Sequence, residues 1–144
     1  MMFLYPSPNI SNLWIYFGSM EKIEKLFKAL SDRNRLRIIA ALREYNEMCA
    51  CQIVELLQVT GATTSRHLSF LVREGLLDSR KDGRWVLYRL DYSKNNCGNV
   101  MFWLENQLIQ SEIIMRDALA LKEIMALDRE NICRKQRGEK CCPC

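Results

Sequence analysis

Histidine occurs once in the 144 residues, at His67, and a lone histidine inside a helical pattern reads as a packing or phosphate-contacting residue before it reads as a metal ligand. The first nineteen residues, MMFLYPSPNISNLWIYFGS, contain no Lys or Arg, so they lack the charged start of a secretory signal. Pro6, Pro8 and Gly18 break that stretch, which is too short and irregular to span a bilayer as a helix. No Gly/Ser linker and no internal repeat divides the chain, which has the length of about one domain. There is no Cys-x-x-Cys on a strand–helix turn and no phosphate-binding loop beside a cysteine, which argues against a thiol reductase or any other enzyme. Acidic residues are missing from Ala62 to Arg73 altogether.

What is present is ordinary for a soluble domain: 49% hydrophobic and 26% charged residues. The net charge of +4 is by itself a weak pointer to nucleic acid, but its distribution is uneven. Between Ala62 and Arg89 stand Arg66, Arg73, Arg80, Lys81, Arg84 and Arg89 against Glu74, Asp78 and Asp82 only. Seven cysteines make an odd set, and four of them (Cys133, Cys141, Cys142 and Cys144) fall in the last twelve residues. With no secretory signal this usage favours metal or redox chemistry in the cytoplasm over a disulfide framework.

Apolar spacing predicts a helix from Met20 to Leu30, with Ile23, Leu26, Phe27 and Leu30 recurring on one side. Ser31-Asp32 can cap a second helix over Arg33 to Tyr45, with Leu36, Ile39, Ala40 and Leu42 inward. Glu47 to Cys51 reads as a connector and Gln52 to Leu57 as a third helix. After the turn Val59-Thr60-Gly61, a fourth helix covers Ala62 to Glu74, stopped by Gly75. Leu76–Arg80 and Trp85–Leu90 read as strands of a hairpin turned at Asp82-Gly83. One long helix of roughly 45 Å is expected from Gly98 to Leu127, at 1.5 Å per residue. Its apolar stripe is Val100, Leu104, Leu108, Ile114, Ala118, Leu121 and Met125, widened by Trp103, Ile113 and Ile124. A stripe that long suits a dimer interface formed by the first and last helices better than packing on a small core.

The fold class expected is therefore mainly α with a small β-hairpin, a winged helix-turn-helix of order α-α-α-α-β-β-α, dimeric. Residues 1–19 form an extension of unassigned function, 20–127 the DNA-binding and dimerisation domain, and 128–144 a Cys-rich tail. Thr63, Thr64, Ser65, Arg66 and His67 line the start of the fourth helix, the end that enters a major groove. Hydroxyls suit phosphates and either base type, and an arginine can reach guanine through two hydrogen bonds. Arg84, with Lys81 near the hairpin tip, is placed to reach the minor groove or the backbone.

The segment VTGATTSRHLSFLVREGLLDSRKDGRWVLYRL resembles the core of the ArsR/SmtB repressors, and LFKALSDRNRLRIIAALRE resembles their opening helices. The likeness runs from about Met20 to Leu127 and keeps the order and spacing of several motifs. Gly61-Ala62 stands where members often carry Gln-Pro, so no base contact is carried over to position 61. The resemblance implies a homodimeric repressor that binds double-stranded operator DNA, with no membrane association, and leaves it on binding an inducer.

Met48-Cys49-Ala50-Cys51-Gln52 offers two thiols at or just before a helix start. In a regular helix residues i and i+2 point about 200° apart and cannot share an ion, whereas in a capping segment they fall on one side. A helix start also lowers a thiol pKa, and thiolates select soft acceptors. The competing reading is a pair of inert buried cysteines. EMCACQIVELL resembles the Cys-x-Cys segment of the family's arsenic and cadmium sensors, which implies metal ligation at Cys49 and Cys51. The arsenic-type members place a third thiol three residues further on, where this chain has Val54. Candidates for the missing ligand are Cys141 and Cys142 first, then Cys97, Cys133 and Cys144. The cadmium-type members draw on an N-terminal cysteine, and none precedes Cys49. The zinc branch uses His on the last long helix, and this chain has none there. The expected inducer is arsenite (As(III)) or another soft thiophilic metal, with cadmium/lead-type or redox (thiol-oxidation) sensing as the alternatives. No organic cofactor is expected.

Overall fold

The computed structural model describes residues 13–93, 98–136 and 138. Helix α1 (Leu13–Leu30) starts ahead of the Met20 expected from the apolar spacing. Helix α2 (Arg33–Tyr45) is capped as expected: the Asp32 side chain accepts the Arg35 backbone N–H at 2.9 Å. The Arg35 guanidinium reaches back and donates to the carbonyls of Ala29 and Lys28, satisfying the orphan end of α1. Strand β1 (Met48–Cys49) then leads into α3 (Ala50–Leu57), and α4 (Gly61–Arg73) follows. The left-handed residue of the helix-turn-helix is Gln58, with φ +55°, at the end of α3. Gly61 is instead the first residue of α4, which Thr60 caps.

Helix α4 ends as its sequence requires. Gly75 takes φ +71°, and the N–H groups of Gly75 and Leu76 donate to Val72 and Leu71, the paired bonds of a glycine-terminated helix. Strands β2 (Leu77–Asp82) and β3 (Trp85–Leu90) pair antiparallel, with Leu77 opposite Leu90 and Asp82 opposite Trp85. That register leaves a two-residue loop whose first position, Gly83, needs the positive φ of +59° that it has. The connector expected at Glu47–Cys51 is in part the short β1, which adds to the free edge of β3 with Met48 opposite Tyr88 and Cys49 opposite Leu87. The sheet is thus three-stranded, in the order β1-β3-β2.

The single long helix of the sequence reading is a correction. Its span holds α5 (Gly98–Leu108) and α6 (Glu112–Ala126), broken where Ser111 adopts extended backbone as the N-cap of α6. Ser-Glu at a helix start is an ordinary opening signal that the continuous apolar stripe concealed. Within the span expected as a Cys-rich tail stands one further helix: α7 (Arg129–Gln136) packs on α3 and buries Ile132 and Cys133.

The core is built from Ile38, Ile39 and Leu42 of α2, Ile53 and Leu56 of α3, Leu68 and Leu71 of α4, Leu77 and Leu87 of the sheet, and Leu121 of α6. Arg37 ties these layers together. Its guanidinium forms a two-point pair with Asp117 of α6 at 2.7 and 2.8 Å and donates to the Leu56 carbonyl at the end of α3. Met20, Ile23 and Phe27 on α1 and Phe102 and Trp103 on α5 remain exposed.

Candidate nucleic-acid interface and thiol centre

Thr60 opens α4, its hydroxyl accepting the Thr63 backbone N–H at 3.2 Å and meeting the Thr63 hydroxyl at 2.9 Å. Ser65 and Arg66 project to the surface, and neither side chain has an acidic residue beside it on α4. Thr64 does not join them: it is 1% exposed and faces inward, which removes it from the groove-facing set. His67 is half-buried, with Nδ1 3.6 Å from the Asp32 carboxylate that caps α2, so it braces the two helices. On the wing, Lys81 and Arg84 are exposed as expected. Arg84 stacks over the Trp85 ring at 4.8 Å and pairs with Glu130 of α7 at 2.7 Å. Arg80 is held by Glu47 through two bonds of 2.7 Å and so orients the wing rather than presenting a free charge.

The two thiols of the Cys-x-Cys segment occupy the capping geometry rather than the helical one. Cys49 ends β1 and is the N-cap of α3, while Cys51 lies in the first turn. A capping box closes this end, since the Gln52 side chain accepts the Cys49 backbone N–H at 2.9 Å and the Cys49 sulfur faces the Gln52 N–H. Cys49 and Cys51 are hydrogen-bonded to each other, and Cys51 is also hydrogen-bonded to Cys133 of α7. All three are buried, and none of them forms a disulfide.

The two neighbours titrate in opposite directions. The Cys51 thiol, donating to Cys49, holds the Cys49 pKa down from 9.0 to about 7; the backbone N–H groups of the helix start and the charge of Arg129 add to this against burial. Cys51 moves up, because its proton is held in the bond to Cys49 and burial disfavours its charge. Near neutral pH the pair is therefore partly ionised at Cys49, and a thiolate is a ligand for soft acceptors. A thiolate-absorbance titration of the reduced protein is expected to show one step near pH 7 that Cys49→Ser removes. Since the folded pKa lies below the unfolded one, this thiolate contributes stability above pH 9 that is lost as pH falls through about 7. Constant stability across that window, together with no such absorbance step, contradicts the assignment.

Cys51, Cys133, Thr64, Tyr88 and Gln136 line one cleft between α3, α4, β3 and α7. The Thr64 hydroxyl is buried there with no hydrogen-bond partner, an uncommon state for a buried polar group. Among the described residues no group of three or more His, Cys, Asp or Glu side chains is arranged to hold a metal ion. The sulfur contacts instead run as a chain, from Cys49 through Cys51 to Cys133. Cys97, Cys141, Cys142 and Cys144 lie outside the described residues. The sequence puts Cys141 and Cys142 ahead of Cys133 because adjacent thiols near its end could reach a site on either protomer, and no helix is expected at 129–136. The signal for one was the apolar pair Ile132-Cys133 inside a charged run of helix-forming residues.

A helix-turn-helix followed by a β-hairpin wing defines the class: this is a winged helix-turn-helix domain. Residues 32–79 match the bacterial regulatory proteins of the arsR family. The chain is 32% identical over 104 residues to the arsenic resistance transcriptional regulator of Pseudomonas putida, covering 69% of this chain and 77% of that one. It is 46% identical over 66 residues to the cadmium resistance transcriptional regulatory protein CadC of Listeria innocua, spanning 46% of this chain and little more than half, 56%, of the relative. Among solved structures it is similar to HlyU from Vibrio cholerae, with a TM-score of 0.56 and 27% identity over 64% of this chain and 97% of that one. The chain belongs to the arsR family of bacterial regulatory proteins.

Proposed function

We propose that the chain is a metal(loid)-responsive transcriptional repressor. It binds operator DNA as a homodimer through the start of α4 and the wing, and a soft thiophilic inducer, arsenite first, releases it by binding Cys49 and Cys51. The observation that carries this reading is the thiolate–thiol pair at the N-cap of α3, the first helix of the DNA-reading unit. A ligand that pulls the two sulfurs together acts directly on the helix that positions α4, so it has a differential affinity for two arrangements of the reading head. Thr63, Ser65 and Arg66, with Lys81 and Arg84, provide the DNA surface. The exposed faces of α1 and α5 supply the apolar area a dimer would cover. A cytoplasmic location, where thiols stay reduced, goes with this reading.

The names of the relatives, one for arsenic and one for cadmium resistance, support a thiophilic inducer and keep cadmium as a second reading. The test is an operator-shift assay in which the reduced protein–DNA complex is titrated with arsenite, cadmium, lead and zinc. Release by arsenite at the lowest concentration supports the first reading, and release by cadmium or lead alone the second. Release only by oxidants, reversed by thiols, would replace both with redox sensing. In the absence of inducer, Arg66→Ala is expected to weaken operator binding by about 1–3 kcal/mol, roughly 5- to 160-fold, as loss of a two-point base contact does. Unchanged affinity in the same assay rules out α4 as the reading helix.

A further inference from the structure

Three features of the thiol centre are not used by the two-cysteine reading. Cys133 is hydrogen-bonded to Cys51 from a different helix, the Thr64 hydroxyl is buried without a partner beside both, and α7 is pinned to the wing. The pins are Glu130 on Arg84 at 2.7 Å and Arg129 with Asp82 at 3.6 Å. At its other end α7 is fixed to α3, where Gln136 donates to the Cys51 carbonyl at 2.8 Å and Lys135 pairs with Glu55 at 2.6 Å. We infer that Cys133 supplies the third thiolate of the inducer site, and that α7 carries the occupancy of that site to the wing through Glu130 and Arg129. The inference rests on the reading of Cys49 and Cys51 as ligands.

Three thiols from three places in one chain equal in number the three ligands of a trivalent metalloid. Arsenous acid exchanges each As–OH bond for an As–S bond. At Cys51 and Cys133 the thiol proton leaves with the hydroxyl as water; at the Cys49 thiolate the departing hydroxide takes a proton from solvent, and arsenic stays trivalent, so no oxidant or reductant is needed. The sulfur chain becomes a pyramid when Cys49 and Cys133 turn toward one atom bonded to Cys51. The unpartnered Thr64 hydroxyl stands at the edge of that site as a hydrogen-bond donor. Before binding, α7 is held at the wing mainly by exposed ion pairs, which contribute little. A covalent bond to Cys133 makes that docking firm, keeps Glu130 on Arg84, and withdraws the wing arginine from phosphate.

The test uses the full reduced chain, with arsenite as the probe. Arsenic-edge X-ray absorption is expected to show three sulfur neighbours in the wild type, and in a variant with serine at 97, 141, 142 and 144. Cys133→Ser should show two sulfurs and an oxygen, with arsenite affinity lower by at least about tenfold. Glu130→Gln should bind arsenite as the wild type does, while the loss of operator affinity caused by arsenite shrinks by at least about fivefold. Three sulfurs in Cys133→Ser, or loss of one in the four-serine variant, overturns the ligand assignment. Full release in Glu130→Gln overturns the coupling. Two sulfurs in the wild type overturn this inference and leave the Cys49–Cys51 site standing, whereas no As–S shell in the wild type removes both.

Discussion

Cys49→Ser/Cys51→Ser is expected to raise the concentration of arsenite or cadmium needed to displace operator DNA by at least about 100-fold, ~2.7 kcal/mol. The size of the effect follows from the chemistry of the donor. A serine hydroxyl does not ionise near neutral pH and offers a hard oxygen to a soft ion, so both bonds are lost rather than weakened. The geometry of the backbone is preserved, because serine is itself a favoured N-cap residue and can accept the Gln52 N–H in place of the Cys49 sulfur. The single variants separate the roles. Cys49→Ser removes the thiolate that exists near neutral pH, and Cys51→Ala removes the hydrogen-bond donor that keeps Cys49 ionised. Cys51→Ala should therefore also move the titration step of Cys49 upward. The measurement is the inducer concentration at half-release in an operator-shift assay, and a double variant that releases at the wild-type concentration sinks the site.

Asp117→Ala is expected to cost about 3–5 kcal/mol of stability, on the order of 10 °C in Tm. Arg37 and Asp117 are 17% and 11% exposed at the side chain, their pair has two short bonds, and Arg37 also closes the carbonyl end of α3. Removing the carboxylate leaves a guanidinium uncompensated among α2, α3 and α6, and the cost comes mostly from that stranded charge. Arg37→Met/Asp117→Leu should therefore cost less than Asp117→Ala alone, since it removes both charges and restores apolar volume. Thermal unfolding of the three proteins decides it. Equal losses for the single and double variants would show that the pair contributes by attraction rather than by avoided desolvation.

Asp32, Gly75 and Gly83 were legible because each answers a local demand of the backbone, an orphan N–H or a positive φ, that no distant contact can change. The inward face of α2 was shifted, with Ile38 and Ala41 buried where Leu36 and Ala40 were expected, because the helix is covered from more than one direction. Gly61 drew the turn prediction away from Gln58, which takes the left-handed conformation although nothing in its type requires it. Thr64 looked identical to Thr63 and Ser65 in a polar run, yet the rotation of α4 against α3 turns it to the interior.

The sequence by itself determined that two thiols stand at a helix start, next to a helix-turn-helix and a wing. Those are properties of spacing and capping, which act over a few residues. Only the tertiary structure decided that Cys133 comes to the same place. Cys51 and Cys133 are 82 positions apart, and what joins them is the packing of α7 against α3, held by Ile132 in the core and by ion pairs to the wing. Long-range packing of that kind leaves no periodic trace in the chain, because its partners are chosen by shape and charge after the local elements have formed.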